Sequence, residues 1–273
     1  GVAPDIGQYD PYVALEFARQ GMIIELTQFL EKEPDLLEAI PEPLFQMSVL
    51  DGKIYGVPME TQLGTVMYNK HHFDEAGVSY PDPSWTYDDL KEFARRLTLR
   101  QADGTVIRHG FRIPTTRNWV PAIWAHGGDL MDDWNNPTRF TDDPSAVIAT
   151  IEFYNELVNM GVLQDYSRRT ASYTTRDFVA ELVAMIQGNT ISLALIHTTA
   201  QFDWDVVPLP KGPNGQIGAY INSHQRFIFS TSEHKEEAWQ LLRYLLSYDA
   251  VAERTRLLGT TPIRYDVLQD IWF

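Results

Sequence analysis

Helix-forming and strand-forming segments alternate along nearly the whole chain, and each is closed by a residue that stops it. Residues 12–20 carry apolar side chains at Val13, Ala14, Phe17 and Ala18, and Gly21 follows as a stop. Thr86 stands three residues before Asp89, ahead of an apolar periodicity through Leu90, Phe93, Ala94 and Leu97, which reads as a capping box. Asp143 and Pro144 open a helix that ends at Gly161, with proline just inside the start and glycine just past the end. Ser232 caps a helix running to Leu245, and Ser247 starts another that stops at Gly259. Extended runs occupy 54–58, 65–69, 191–196, 205–210 and 226–230, the third apolar enough for a buried strand. Lys211-Gly212-Pro213-Asn214-Gly215 is a turn by composition. Such alternation belongs to the α/β class, and 273 residues suffice for one large domain or two small ones.

Charge narrows the function classes. With 22 Lys+Arg against 37 Asp+Glu the net charge is −15, which repels phosphate backbones and argues against a nucleic-acid partner. No stretch reaches the roughly 20 consecutive apolar residues of a membrane span. The absence of cysteine excludes disulfides, thiolate metal sites and cysteine nucleophiles. The unusual term is aromatic: 7 Trp, 13 Tyr and 13 Phe, whose faces stack on planar or C–H-rich ligands while polar edges hydrogen-bond. Of the adjacent carboxylate pairs, Asp88/Asp89, Asp142/Asp143 and Glu236/Glu237 fall at helix starts, where acid groups complement free N–H ends. Asp132/Asp133 lies in a loop and reads as a turn. His71 and His72 read as a solvated helix start, while His197 and His224 lie where strands meet loops. There is no metal-ligand spacing, nucleophile elbow or phosphate-binding glycine loop, so neither a metal nor a cofactor is expected. The chain opens on Gly1-Val2-Ala3 without a leader pattern and closes on Ile271-Trp272-Phe273, and it reads as the middle of a longer protein.

Ala3-Pro4-Asp5-Ile6, Gly52-Lys53-Ile54-Tyr55-Gly56-Val57-Pro58, Tyr68-Asn69-Lys70 and Lys235-Glu236-Glu237-Ala238-Trp239, in this order, resemble pieces of the bacterial extracellular solute-binding proteins, family 1, that serve ABC importers. Ala3-Pro4-Asp5-Ile6 and the stretch from Phe17 to Thr27 are similar to the family's opening pieces. Asp51-Gly52-Lys53-Ile54-Tyr55-Gly56-Val57-Pro58, then Tyr68-Asn69-Lys70, follow in order. So do Ala76-Gly77, Pro83-Ser84-Trp85, Phe202-Asp203-Trp204 with Pro208 and Pro210, and Lys235-Glu236-Glu237-Ala238-Trp239. The resemblance covers essentially the whole chain, and its maltose- and oligosaccharide-binding members are the most similar.

That resemblance implies a two-lobed α/β fold of the periplasmic-binding-protein (Venus-flytrap) kind, type II-like and incomplete at both ends. The chain then crosses near Phe111 to Pro114 and returns near Gly215 to Ala219, giving lobe 1 as 1–112 and 218–262 and lobe 2 as 113–217 and 263–273. One departure shows: between the 191–196 strand and Phe202 only His197 to Gln201 intervene, where the family places a loop and a helix.

The resemblance also implies ligand positions. A polar residue seven before Asn69 contacts ligand in sugar-binding members; here it is Gln62, with Glu60 and Thr61 as neighbours. The loop before Gly127-Gly128 supplies aromatic contacts in the family, which singles out Arg117, Asn118 and above all Trp119. Asn222, Ser223 and His224 return to the same region, and His197 joins the candidates. Tyr68, Asn69, Trp85 and Trp239 read as structural. The function implied is a non-enzymatic receptor, monomeric and extracytoplasmic, either periplasmic or lipoprotein-anchored. It would hold a sugar or oligosaccharide in the interlobe cleft by stacking and hydrogen bonds, close on it and deliver it to permease subunits in the membrane. The alternatives are the same role for a polyamine, a phosphate ester or a metal chelate, a carbohydrate-active enzyme, or a scaffold that kept the fold.

Overall fold

The computed structural model describes residues 4–112, 119–134, 137–163, 174–258 and 260–272. The chain divides into two compact units: residues 1–62 with 221–273, and residues 63–220.

Unit 1 is built on a three-stranded antiparallel sheet whose central strand, Gln225–Ile228, pairs with Ile6–Tyr9 on one side and Val57–Pro58 on the other. The register sets Gly7 opposite Phe227, where a Cβ would lie 2.4 Å from the ring; only glycine admits that ring here. Asp51 and Gly52 both have positive φ, 51° and 77°, and close a two-residue hairpin between Val49–Leu50 and Lys53–Ile54, the turn that an Asp-Gly pair favours. Helices Lys235–Leu245, Tyr248–Leu258 and Tyr265–Trp272 contribute Trp239, Leu242, Val251 and Val267 to a core shared with Leu26, Leu30, Leu44 and Val57. Asp5 anchors the sheet edge: its carbonyl accepts from Phe229 N at 2.9 Å and its carboxylate from Ser232 Oγ at 2.6 Å.

Unit 2 is a mixed sheet. Strand Gln62–Asn69, from Leu63 onward, lies between the antiparallel strands Val183–Asn189 and Trp204–Pro208. Val106–Arg112 runs parallel to Val183–Asn189, and Leu99–Arg100 forms the far edge. Helix Tyr87–Leu97 covers the sheet with Leu90, Ala94 and Leu97 fully buried. It starts with the expected capping box, Thr86 Oγ1 accepting from Asp89 N and the Asp89 carboxylate from Thr86 N. Helix Lys70–Ala76 is capped by buried Asn69, whose side chain accepts from His72 N, so Asn69 is structural as expected. Trp85 is structural too, buried with its Nε1 donating to Pro208 O at 2.8 Å.

Several expectations need correction. Residues 191–196 are not a strand: the chain forms the helix Ser192–Thr199, and the buried strand of this region is Val183–Asn189. Asn189 Oδ1 accepts from Ile191 N and turns the chain at the strand end. A short apolar run carries no period that separates strand from buried helix. A helix therefore does lie between that strand and Phe202, and the supposed departure from the family disappears. The helix after Asp143 begins at Ser145, one residue past the proline, with Asp143 Oδ1 accepting from Ser145 N. His72 is not solvated but buried, 3.3 Å from Glu181. The units also divide elsewhere than the lobes read from the sequence. Residues 63–112 fall in unit 2, because strand Gln62–Asn69 pairs with two strands there. Residues 263–273 fall in unit 1, because Ile263 and Val267 join its core.

A Cβ on Gly110 would sit 1.9 Å from Ala94 O, backbone that cannot swing away. Gly110→Ala should therefore force helix Tyr87–Leu97 off its strand and destabilise unit 2 by about 2 kcal/mol or more. Urea denaturation checks this, and an unchanged midpoint would show that the helix does not sit this close.

Candidate functional site

The central strand of unit 1 decides which distant residues meet. Val57 and Pro58 pair with Arg226 and Gln225, so the segment that continues from Pro58 runs beside the one that precedes Gln225. Met59 N donates to His224 O at 3.2 Å, and Thr61 N donates to Thr261 O at 3.2 Å. Tyr9 lies opposite Gln225 on the other side, which brings Asp10, the next residue, to the same place.

The result is a connected polar group. His224 Nδ1 contacts Glu60 Oε1, and His224 N donates to the same oxygen at 3.2 Å. A carboxylate only accepts, so Nδ1 carries the hydrogen. Gln62 Nε2 donates to Glu60 Oε1 at 3.2 Å, and Asn222 Nδ2 lies 3.5 Å from Gln62 Oε1 and 3.3 Å from Asp10 Oδ1. His224 Nε2 is 3.9 Å from Asp10 Oδ1, so one imidazole stands between two carboxylates. Asp10 is the N-cap of helix Pro11–Arg19 but makes no cap hydrogen bond with its side chain; its carboxylate serves Asn222 and Tyr12 Oη instead. Burial alone would raise the Glu60 pKa, but the hydrogen bond and charge of His224 outweigh it and hold the carboxyl below its ordinary value. Beside this group Tyr9 and Tyr12 are 53% and 59% exposed, presenting aromatic surface next to amides and carboxylates. Tyr9 is held by Phe227, stacked at 6.4 Å, and Phe17, edge-on at 5.9 Å.

Four of the residues singled out from the sequence thus come together: Glu60, Gln62, Asn222 and His224. Thr61 lies in the same segment, its hydroxyl donating to Pro262 O at 3.2 Å. Ser223 is fully buried, and its hydroxyl accepts from Met59 N and donates to His224 O. Trp119 belongs to unit 2. It packs against that core and lines an apolar hollow of about 370 Å³ with Ile151, Tyr154 and Val158. His197 is exposed in the last turn of helix Ser192–Thr199, not at a strand end. Arg117 and Asn118 lie outside the described residues. Sequence reasoning missed Tyr9, Asp10 and Tyr12, because Asp10 followed by Pro11 reads as nothing more than a helix start. The register of Ile6–Tyr9 against Gln225–Ile228 was the signal that would have found them.

Unit 2 has its own groove of about 770 Å³, lined by Lys70, Asp74, Tyr80, Glu181 and Asp203. Two of its polar groups already have partners: Lys70 pairs with Asp205 at 2.9 Å, and Tyr80 Oη donates to Asp74 at 2.7 Å. Among the described residues no group of carboxylates and histidines could hold a metal ion. Members of the adjacent carboxylate pairs serve helix starts and turns: Asp89 completes a capping box, Asp143 accepts from Ser145 N ahead of its helix, and Asp132 accepts from Thr138 N and Arg139 N.

A group whose folded pKa is depressed adds stability above its unfolded pKa and loses it as pH falls through the folded one. Glu60→Gln should accordingly lower the thermal midpoint at pH 7, and the gap from wild type should narrow between pH 5 and pH 3. Thermal unfolding at several pH values checks this; a gap that stays constant with pH would contradict it.

Comparison with known proteins bears on what such a group serves. The sequence pattern of the family "bacterial extracellular solute-binding protein" matches residues 1–273. A putative binding protein of Brucella abortus is 26% identical over 254 residues, covering 91% of this chain and 60% of the relative. The chain thus spans about three-fifths of the length of that curated relative. Among solved structures, an ABC substrate-binding protein of Listeria monocytogenes in complex with cycloalternan superposes with a TM-score of 0.83 at 25% identity, over 98% of this chain and 69% of that one. Maltose-bound MalE3 of T. maritima gives a TM-score of 0.81 at 25% identity, over 99% of this chain and 69% of that one. With the family pattern matched from the first residue to the last, and an α/β fold shared with sugar-bound members, the chain belongs to the bacterial extracellular solute-binding proteins.

Proposed function

We propose that this protein is the solute-binding receptor of an ABC importer and that its ligand is a hydroxylated solute of the sugar or oligosaccharide class. The observation that carries this reading is the unit 1 group itself: two side-chain amides, two carboxylates and an imidazole joined by hydrogen bonds beside two exposed tyrosines. Amides and carboxylates offer paired donors and acceptors to vicinal hydroxyls, and a tyrosine face packs on the C–H surface of a pyranose. The membership of the family supports the receptor role, and the cycloalternan and maltose bound to similar structures support the ligand class.

The side chains divide the work by chemistry. Gln62 and Asn222 are 5% and 8% exposed and already oriented by Glu60 and Asp10, so little rotamer freedom remains to be lost on binding. Asp10 and Glu60 each keep acceptor capacity for a ligand hydroxyl. Tyr9 and Tyr12 supply the stacking surface. No bond of the solute is broken in this scheme; release is to permease subunits in the membrane, and the receptor works outside the cytoplasm as an extracellular family member.

Titration calorimetry with mono- and oligosaccharides tests the reading. Asn222→Ala and Tyr12→Ala should each weaken sugar binding at least tenfold, and no chromogenic glycoside should be turned over. Sugar affinity unchanged in both variants would move the site away from unit 1, and turnover would replace the receptor by an enzyme.

A further inference from the structure

The His224 imidazole faces a carboxylate at each of its nitrogens, and the two contacts differ. At Nδ1 the ring meets Glu60 Oε1 directly, and the same oxygen accepts from His224 N and Gln62 Nε2 at 3.2 Å each. At Nε2 the ring stands 3.9 Å from Asp10 Oδ1, beyond the reach of a hydrogen bond. The other Asp10 oxygen accepts from Tyr12 Oη at 3.3 Å, and Oδ1 accepts from Asn222 Nδ2 at 3.3 Å. The side chains of His224 and Asp10 are 30% and 24% exposed, against 12% for Glu60, so a solute reaches the ring and Asp10 more readily than Glu60.

Because Glu60 only accepts, the hydrogen on Nδ1 stays in place and Nε2 is the nitrogen that gains or loses a proton. In the neutral ring Nε2 is a lone pair opposite a second acceptor. A hydroxyl has one hydrogen to give, so it cannot satisfy both. In the imidazolium, Nε2–H donates while Asp10 accepts. One oxygen about 2.8 Å from each then accepts from Nε2–H and donates to Asp10 Oδ1, and the 3.9 Å separation leaves room for it. Carboxylates at both ends of an imidazole favour its charged form. Asp10 comes from the start of helix Pro11–Arg19 and Glu60 from the segment after Val57–Pro58. The further charges felt at Glu60 are those of Arg226 and Arg254, and neither forms an ion pair with it among the described residues. A solute ammonium, which donates to both sides, would instead prefer the neutral ring.

We infer that His224, as an imidazolium, determines specificity for a neutral hydroxyl: its Nε2–H and Asp10 Oδ1 hold one hydroxyl of the solute between them, and that grip is lost when the ring gives up its proton. The inference rests on the receptor reading and deepens it to a site that binds tightest while His224 is charged. A solute that prefers the protonated ring binds fully below the free ring's pKa. Its affinity falls as pH rises through that value and levels off above the pKa of the bound ring.

The test is calorimetry on the full chain between pH 6 and pH 9 with glucose, galactose and maltose, and with monodeoxy analogues of whichever binds tightest. That sugar should lose at least tenfold in affinity across the range, and one monodeoxy analogue should bind with no pH dependence. His224→Ala should be flat with pH at the weak level, and His224→Gln, which keeps an N–H donor in place of Nε2–H, should be flat at a level between. Two-dimensional NMR of the His224 ring, assigned from the glutamine variant, should show Nε2 protonated to a higher pH with saturating sugar than without. Sugar binding that is constant with pH, that strengthens as pH rises, or whose pH dependence survives in every monodeoxy analogue would overturn the inference while the receptor reading stands. Failure of all three sugars to bind at any pH would remove the receptor reading for this class, and the inference with it.

Discussion

Strand Gln225–Ile228 holds unit 1 together. It pairs on one edge with residues more than two hundred positions earlier and on the other with Val57–Pro58. Every feature of the proposed site follows from that placement. The residues just before the strand, Asn222 and His224, meet the residues just after Pro58, Glu60 and Gln62, and the residue just after Tyr9, Asp10. Such non-local pairings form late and at a large loop-closure cost, so the site exists only once unit 1 is assembled. Gly7 is part of the same constraint, since the close approach of Phe227 leaves no room for a side chain opposite it.

Much of the local structure was legible because it is written in short-range chemistry. The Thr86–Asp89 capping box was read directly, since its two residues stand three positions apart; the Asp51-Gly52 hairpin turn and the Asn69 cap are as local, and they were not read. Glu60, Gln62, Asn222 and His224 were found through resemblance to a family, and the structure brings all four together. What was illegible is what depends on long-range register. Residues 191–196 gave no period to choose helix over strand, and sheet partners decided it. Asp10 looked like an ordinary N-cap; only its neighbours across the sheet turn it toward Asn222.

The electrostatics of the group suit the binding surface proposed for it. Glu60 is kept ionised against burial by His224, and in turn holds the imidazole Nδ1–H and one hydrogen of the Gln62 amide. Asp10 does the same for Asn222. The side chains proposed to meet a solute are thus already held by partners within unit 1, which would limit the rotamer entropy lost on binding. No catalytic pair is needed to account for these carboxylates, because each has a defined neighbour to orient.

The central claim is that this unit 1 group contacts the solute. The most direct measurement is NMR of the side-chain NH2 signals of Gln62 and Asn222, assigned by single substitution, during titration with the tightest-binding sugar of the panel. The account predicts that both pairs of signals shift together and saturate at the calorimetric Kd. Saturable binding that leaves both pairs unmoved would contradict it.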